Sequence, residues 1–513
     1  MKRAKAKAKV ILVGAGPGDP GLLTLRGWNA LQKADVILYD HLVNPEILRW
    51  SRPDARRLFV GKEAGASKWN QQAIHKVLLA ESRRSRVVVR LKGGDPYLFG
   101  RGAEEGIFLK KHRIPFEVIP GVTSAVGCAA TAGIPLTERH LSSSVSFVTG
   151  HEAGDKARAI DWKGLSSTGT LAVYMGVSRI RDVTAKLIQS GVPRARPAAV
   201  VEWGTWNRQR TCVGTIADIA RKVETAKIGA PAMLFVGDVV RLRAKLNWFE
   251  NRPLFGRRIV VTRALSQSAN LRRALEDEGA QVIEIPAIEI LPPLDWAPMD
   301  AAIARLGSFD WIVFTSTNGV DYFFERLASK KGRDVRALAA ARIAAVGSAT
   351  EKQLRQYGIR ADFVPSAFST HDLFEELLRS RRLAGQHFLL LRSHIAPPGL
   401  ALRLRKAGAR VTEVAAYRTL SPHARIRDHF RRLGGPVDAV CFTSASTTDG
   451  FFGALSRREL KKGLGKARIV SIGPVTSAAV RRHGFRVHAE ADPYTAEGLA
   501  EAVIRVAAKK KSR

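Results

Sequence analysis

The chain has 513 residues, 45% hydrophobic and 7% aromatic, enough to bury several cores and to divide into domains. Lysine and arginine number 83 against 46 aspartate and glutamate, a net charge of +37, which reads either as a solvated basic surface with basic tails or as a surface for a polyanion; no stacking aromatics interleave with the basic residues and no nucleic-acid reader motif is present, so of the polyanions an acidic small substrate fits better than a nucleic acid. Cys128, Cys212 and Cys441 lie far apart with no Cys-x-x-Cys pair, which excludes a disulfide framework and a zinc site, and no apolar window reaches the roughly 18 residues of a membrane span, so a soluble, cytoplasmic protein without metal, nucleic acid or membrane is expected.

In chain order, residues 9–13 (Lys-Val-Ile-Leu-Val) read as a buried strand opening into the glycine loop Gly14-Ala15-Gly16-Pro17-Gly18-Asp19-Pro20-Gly21. Residues 36–39 form a second apolar run, which ends on Asp40. A third, 87–91, opens into Lys92-Gly93-Gly94-Asp95-Pro96. In an open α/β sheet, ligands sit at this edge. Gly14-x-Gly16 with Asp40 at the next strand end invites a dinucleotide site. Two details oppose it: the spacing is Gly-x-Gly-x-Gly, and Pro17 removes an amide where a pyrophosphate needs a donor. Further β-rich runs at 145–149, 170–175, 198–202 and 232–236 alternate with helical segments, as in α/β architecture.

The pattern breaks near 247–257, and a fresh strand starts at Arg258. Beyond it the sequence repeats itself. Asp310-Trp311-Ile312-Val313-Phe314-Thr315-Ser316 is echoed by Asp438-Ala439-Val440-Cys441-Phe442-Thr443-Ser444, residues 345–350 by 471–476, and 358–365 by 484–491, at offsets that agree within a couple of residues. A period this long exceeds any solenoid unit. It implies two similar α/β lobes, each running strand, Thr-Ser loop, helix, strand, Gly loop, helix, with a site between them.

Residues 13–27 (Val-Gly-Ala-Gly-Pro-Gly-Asp-Pro-Gly-Leu-Leu-Thr-Leu-Arg-Gly) and 90–102 (Arg-Leu-Lys-Gly-Gly-Asp-Pro-Tyr-Leu-Phe-Gly-Arg-Gly) are highly specific. With Pro120-Gly121-Val122-Thr123-Ser124-Ala125, Gly133-Ile134-Pro135-Leu136-Thr137 and Val173-Tyr174-Met175-Gly176, they make residues 8–246 resemble uroporphyrinogen-III C-methyltransferase, of the tetrapyrrole methylase family. The resemblance implies a two-lobed α/β fold with S-adenosylmethionine held in its cleft, S-adenosylhomocysteine as product, and a homodimer formed through this half. Pro17, Gly93, Gly94, Asp95, Leu98, Thr123, Ser124, Met175, Gly204 and Ala232 then match the cofactor pocket, with Asp95 as negative partner for the ammonium or sulfonium region. Gly204-Thr205 to Gln209 resembles a Gly-Thr…Gln motif of the family. Asp40 is implied as proton acceptor and Lys62 as proton donor; taken alone, the first is a strand-end cap and the second a solvated surface charge. Arg90, Lys92, Arg101 and Arg139 are candidates to bind substrate carboxylates. Multifunctional relatives carry a dehydrogenase and ferrochelatase region ahead of the methylase; here the methylase begins almost at Met1, so the expected end point is precorrin-2.

Val260-Val261-Thr262-Arg263, Phe314-Thr315-Ser316-Thr317-Asn318-Gly319-Val320, Ala416-Tyr417-Arg418-Thr419, Phe442-Thr443-Ser444, Ile472-Gly473-Pro474-Val475-Thr476 and Pro493-Tyr494-Thr495-Ala496-Glu497-Gly498-Leu499 make residues 255–507 resemble uroporphyrinogen-III synthase. Each motif alone is ordinary turn chemistry; their order and duplication carry the resemblance. It implies a bilobal α/β fold with pseudo-repeated lobes, about 255–292 plus 420–507 and 296–415, that needs no cofactor. Thr315, Ser316, Ser348, Ser444, Ser446, Thr447 and Thr476 are candidates to bind carboxylates at helix amino ends. Tyr417 is the candidate acid for departure of a hydroxyl group, its plain alternative being a packing tyrosine. Ala264 stands where the family pattern has proline after Thr-Arg. Together the halves imply one bifunctional enzyme that cyclises hydroxymethylbilane to uroporphyrinogen III and methylates it at C2 and C7. The alternative is a methylase for a later corrinoid intermediate, attached to a synthase-like scaffold.

Overall fold

Runs of Val, Ile and Leu without polar alternation make strands buried on both faces, as a helix-covered parallel sheet requires. The computed structural model describes residues 9–61, 69–151, 159–263, 269–366, 370–380 and 383–508. The chain divides into two units, the first running to Arg257 and taking in Leu275–Gln281, the second made of Arg258–Ala274 and Val282–Ala507.

In the first unit, β1 (Lys9–Gly14), β2 (Val36–Tyr39), β3 (Arg56–Phe59), β4 (Val87–Lys92) and β5 (Phe116–Ile119) form an all-parallel sheet in the order β3-β2-β4-β1-β5. The chain leaves β1 toward β2 on one side and leaves β4 toward β5 on the other. A crevice therefore opens between the carboxyl ends of β1 and β4, where both glycine loops begin. The second sheet contains β6 (Val145–Thr149), β7 (Thr170–Tyr174), β8 (Pro197–Glu202), β9 (Arg210–Thr215) and β10 (Ala232–Val236), ordered β6-β7-β10-β8-β9. Only β6 and β7 pair in parallel; β10 runs antiparallel to both neighbours and β8 to β9. The helix Ser124–Ala132 (Ser-Ala-Val-Gly-Cys-Ala-Ala-Thr-Ala) carries small side chains, which lets it lie close on this sheet among Ala172, Ala199, Val201 and Phe235.

In the second unit, β11 (Arg258–Val261) and β12 (Gln281–Glu284) precede β13 (Glu289–Leu291), β14 (Trp311–Phe314), β15 (Arg342–Ala345), β16 (His387–Ser393) and β17 (Arg410–Leu420); β18 (Ala439–Phe442), β19 (Arg468–Ser471) and β20 (Ala489–Glu490) follow. The sheets are β12-β11-β18-β19-β20 and β13-β17-β16-β14-β15, so one lobe is discontinuous and the other is inserted within it. The division differs slightly from the expected 292 and 420. Glu289–Leu291 pairs antiparallel with Arg418–Leu420, because β17 runs 11 residues and offers its last three to the segment that enters the inserted lobe. Both therefore belong to the inserted sheet.

The sequence repeat is a packing repeat as well. Phe314 meets Phe323 edge-on at 5.5 Å and Phe442 meets Phe451 at 5.6 Å, with Phe324 and Phe452 beside them in the same two positions. Each trio joins the first strand of its repeat to the helix that follows. Truncating Phe442, fully buried, to alanine is expected to cost about 3–5 kcal/mol, read as an earlier melting transition in differential scanning calorimetry.

Candidate functional site

The crevice at β1 and β4 is made by main chains. Ala15 N donates to Lys92 O at 2.7 Å, Gly16 N to Gly94 O at 3.2 Å, and Gly94 N back to Gly16 O at 2.7 Å. A Cβ on Gly14 would lie 2.5 Å from Gly121 N, and one on Gly121 would lie 2.3 Å from Gly94 O. No side chain fits at either position. The Asp95 carboxylate ties the loops together, accepting from Tyr97 N (2.8 Å), Leu98 N (3.1 Å) and Gly121 N (3.0 Å). Much of its acceptor capacity thus goes to holding the site's own backbone. Four of the seven non-glycine residues with positive φ among the described residues, Phe99, Arg101, Met175 and Thr205, stand in the predicted site motifs, and a fifth, Trp203, directly precedes one. Such strain concentrates where surrounding structure forces a ligand-binding shape.

Asp40 follows β2 at this same edge. Its Oδ1 accepts from Leu42 N at 3.2 Å, and its Oδ2 lies 3.5 Å from an Arg90 guanidinium nitrogen. Behind it, Arg90 Nε is 3.3 Å and Lys92 Nζ 2.9 Å from the same oxygen, Oε1, of Glu105. Glu105 is fully buried and its Oε2 has no hydrogen-bond partner. Burial lowers the Lys92 pKa, the Arg90 charge lowers it further, and Glu105 opposes both. The expectation that Arg90 and Lys92 bind substrate carboxylates is therefore corrected. They lie 3% and 4% exposed on a strand covered on both faces, paired with Glu105. Arg101 is exposed and forms a forked pair with Glu104 at 2.8 Å, and Arg139 is exposed. Lys62 lies outside the described residues.

The remaining predicted cofactor residues gather around the helix Ser124–Ala132. The Thr123 hydroxyl meets Tyr174 OH at 2.5 Å, and Ala125 N donates to the same phenol oxygen at 3.1 Å. Burial raises the Tyr174 pKa, so the phenol stays protonated and fixes the start of the helix. Tyr174 was not singled out from the sequence; its only signal was its place in the Val-Tyr-Met-Gly run. A Cβ on Gly204 would lie 2.2 Å from Cys128 Sγ, and Pro17 packs against Gly127 on the same helix. Leu98 packs on this core, and Ala232 pairs across the sheet with Glu202.

The Gly-Thr…Gln motif also has a physical account. Asp19 N, from the first glycine loop, donates to Thr205 Oγ1 at 3.0 Å. Gln209 Oε1 accepts from Thr205 N at 2.9 Å and Thr131 Oγ1 at 2.7 Å, while its amide donates to Glu250 at 2.8 Å. Gly93, Leu98, Thr123, Ser124 and Ala232 are half-buried and Met175 is exposed, so a small molecule can reach this wall. Hydroxyls, a thioether and main-chain groups line it, and the cations behind are already paired. That donor set suits a sulfonium-bearing nucleoside better than a pyrophosphate. Among the described residues, no group of three or more His, Cys, Asp and Glu is arranged to hold a metal ion, and no helix is long and apolar enough to cross a membrane.

In the second unit the predicted hydroxyls follow the carboxyl ends of β14, β15, β18 and β19. Ser316 caps the helix Thr317–Ala328, accepting from Gly319 N at 3.1 Å and donating to Tyr417 OH at 3.0 Å. Tyr417 is 7% exposed and stacks on Tyr322. Thr315 donates to Leu391 O at 3.0 Å. Ser444 and Thr447 close a reciprocal cap: Ser444 Oγ accepts from Thr447 N, and Thr447 Oγ1 accepts from Ser444 N and donates to Ser444 O. Thr447, 1% exposed, therefore has no hydroxyl to offer a substrate, which corrects that expectation, and Thr476 is buried as well. Ser446 remains half-buried beside Ser444 Oγ at 3.0 Å, and Ser348 is exposed. A cavity of about 130 Å³ touches Thr315 and adds His371, Arg392 and Arg403. In a chain this rich in arginine, spacing alone could not have picked out these two.

Residues 9–220 match the family described as Tetrapyrrole (Corrin/Porphyrin) Methylases, and residues 269–501 match Uroporphyrinogen-III synthase HemD. The chain is 36% identical over 499 residues to the Porphyrin biosynthesis protein HemD of Ruminiclostridium josui, covering 97% of this chain and 98% of that protein. It is 40% identical over 352 residues to the Uroporphyrinogen-III C-methyltransferase of Bacillus subtilis (strain 168), covering 68% and 71% respectively. Among solved structures, the native uroporphyrin III C-methyl transferase of Thermus thermophilus is 39% identical, spanning 46% of this chain and all of that one, with a TM-score of 0.41.

Replacing Glu105 by glutamine should leave Lys92 buried without its counter-charge and Arg90 with Asp40 alone, 3.5 Å away, and cost roughly 3–5 kcal/mol. The same change at exposed Glu104 should cost under about 1 kcal/mol. Thermal unfolding of the two variants side by side checks the contrast.

Proposed function

Because the chain belongs to the family that fuses uroporphyrinogen-III C-methyltransferase to uroporphyrinogen-III synthase, bifunctional enzymes of tetrapyrrole biosynthesis, we propose that it closes hydroxymethylbilane to uroporphyrinogen III in the second unit and methylates that product at C2 and C7 in the first, giving precorrin-2. The observation that carries the methylation step is the asymmetry around Asp40. Its side chain is one-quarter exposed, while Arg90 behind it is buried, so one side of the carboxylate is anchored and the other is open. A proton acceptor needs that arrangement.

S-adenosylmethionine, bound against Gly93, Gly94, Leu98, Thr123, Ser124, Met175, Gly204 and Ala232, supplies an electrophilic methyl group. The chain's own residues do the rest. The glycine loops bring main-chain groups close enough to orient the ligand, and orientation supplies much of the rate. Pro17 holds the first loop on the helix Ser124–Ala132. Asp40 takes the proton released when the methylated ring system regains conjugation, and Lys62 returns one. Asp95 acts first as the clamp between its own loop and the turn at Gly121 and secondarily as a negative neighbour for the ligand's cationic end.

In the second unit the chemistry is conformational. Thr315, Ser316, Ser348, Ser444 and Ser446, with Arg392 and Arg403 beside Thr315, bind carboxylates of the linear substrate and hold the pose that closes with inversion of the last ring. Tyr417, hydrogen-bonded to Ser316, gives its proton to the departing hydroxyl. The positive balance of the chain favours capture of such polycarboxylates.

Supplying the protein with hydroxymethylbilane and methyl-labelled S-adenosylmethionine should give a type III macrocycle carrying two labels, placed at C2 and C7 by NMR. Only type I product would refute the first step, and an unlabelled macrocycle the second. Asp40→Asn should lower methylation by about 10²–10⁴-fold, with S-adenosylhomocysteine binding retained by calorimetry and cyclisation unchanged. Tyr417→Phe should do the reverse, slowing cyclisation alone.

A further inference from the structure

A second cavity lies in the discontinuous lobe, away from every residue assigned above. It has a volume of about 660 Å³ and is formed by the helix Arg457–Leu464, the start of β19 and the segment 483–488. Its volume falls within the roughly 300–1,000 Å³ of small-molecule sites. The hydroxyl loops of this lobe follow the carboxyl ends of β18 and β19, which run parallel. The cavity sits at the amino end of β19, at Arg468, the opposite edge of the sheet, roughly 10 Å away along a strand of that length.

Its chemistry is divided. Leu460, Leu464, Ile469 and Phe485 make an apolar floor, with Phe485 stacked on Phe452 beneath. Arg457, Lys461, Lys466, Arg468 and Arg486 surround it, all exposed. Among the described residues no acidic side chain lines the cavity, and none pairs with these five cations. Helix polarity does not account for them. Lys461 is the only one in the last turn of a helix, and Arg457 occupies a first turn, where a positive charge is disfavoured. His488 Nδ1 accepts from Ile469 N at 3.0 Å, leaving Nε2 to carry the ring proton as a donor. Burial lowers the His488 pKa and the charges of Arg468 and Arg486 lower it further, against main-chain hydrogen bonds that raise it.

An apolar floor ringed by unpaired cations is complementary to a flat ring system with carboxylates at its periphery. We propose that this cavity is an additional binding site for pyrrolic polycarboxylates, built from residues that neither active site uses. The inference rests on the tetrapyrrole function proposed above and adds a place where such a molecule is retained outside the chemistry. The apolar floor favours this class over a nucleic-acid backbone, which needs cations but no such surface.

The test is calorimetric titration of the full chain with uroporphyrin III, the stable oxidised macrocycle, at low and moderate salt. The combined Lys461→Glu, Arg468→Glu and Arg486→Glu variant should bind one macrocycle fewer per chain, or bind it at least tenfold more weakly. Turnover numbers for cyclisation and methylation should match the unaltered protein. The corresponding glutamine variant should show a smaller loss that shrinks with added salt. An unchanged titration in the charge-reversal variant would overturn the proposal and leave these cations as a solvated surface. A duplex oligonucleotide or inorganic phosphate that competes for the site more tightly than the macrocycle would overturn it too. If the unaltered protein turns over neither substrate, the proposed function fails instead, and the difference between the two titrations still reads this site.

Discussion

Three main chains approach one another in the first unit more closely than any side chain permits. The ends of β1 and β4 and the turn after β5 meet at Gly14, Gly94 and Gly121, and a single methyl group at Gly14 or Gly121 would overlap backbone atoms of a neighbour. The adjacency follows from strand order: β1 lies between β4 and β5, so their carboxyl ends are neighbours. Asp95 then converts adjacency into rigidity by gathering amides from two of the three segments. The wall around the helix Ser124–Ala132, and the anchoring of Asp40 one strand away, depend on that junction.

A second constraint lies beneath it. Two cations and two carboxylates sit in or at the edge of the sheet's interior, and Oε1 of Glu105 serves both Arg90 and Lys92. Ionised groups are retained in a core only when paired, and such pairs add little net stability over apolar residues of equal size. Their value here is positional: Arg90 can reach Asp40 because Glu105 holds its other edge. This explains why Arg-Leu-Lys within an apolar strand is compatible with burial.

The strands, the break near residue 250 and the duplicated architecture were legible in sequence, because each rests on local runs of apolar residues and on turn chemistry. That Ser316 and Ser444 stand at helix amino ends was legible for the same reason; that their hydroxyls cap those helices came from the structure. Interactions distant in the chain were not. Nothing in the spacing of Arg90, Lys92 and Glu105 tells that their side chains point inward to one another rather than outward to a substrate. Thr447 shows the converse limit: a hydroxyl at a loop beside a presumed site is equally consistent with a self-contained cap. Tyr174 was hidden by type, since a tyrosine ending an apolar strand ordinarily signifies packing.

The interrupted lobe has a consequence for biogenesis. Thr262, which directly follows β11, donates through its hydroxyl to Cys441, a contact separated by 179 positions along the chain. During ribosomal synthesis the inserted lobe can complete itself first, while Ile259, Val260 and Val261 wait without their neighbour β18. An apolar strand with open edges is a hazard for as long as it waits. Nascent-chain yield should therefore depend on how quickly the ribosome delivers the chain from Ala439 onward, making codon tempo and holding chaperones determinants of how much active enzyme a cell obtains.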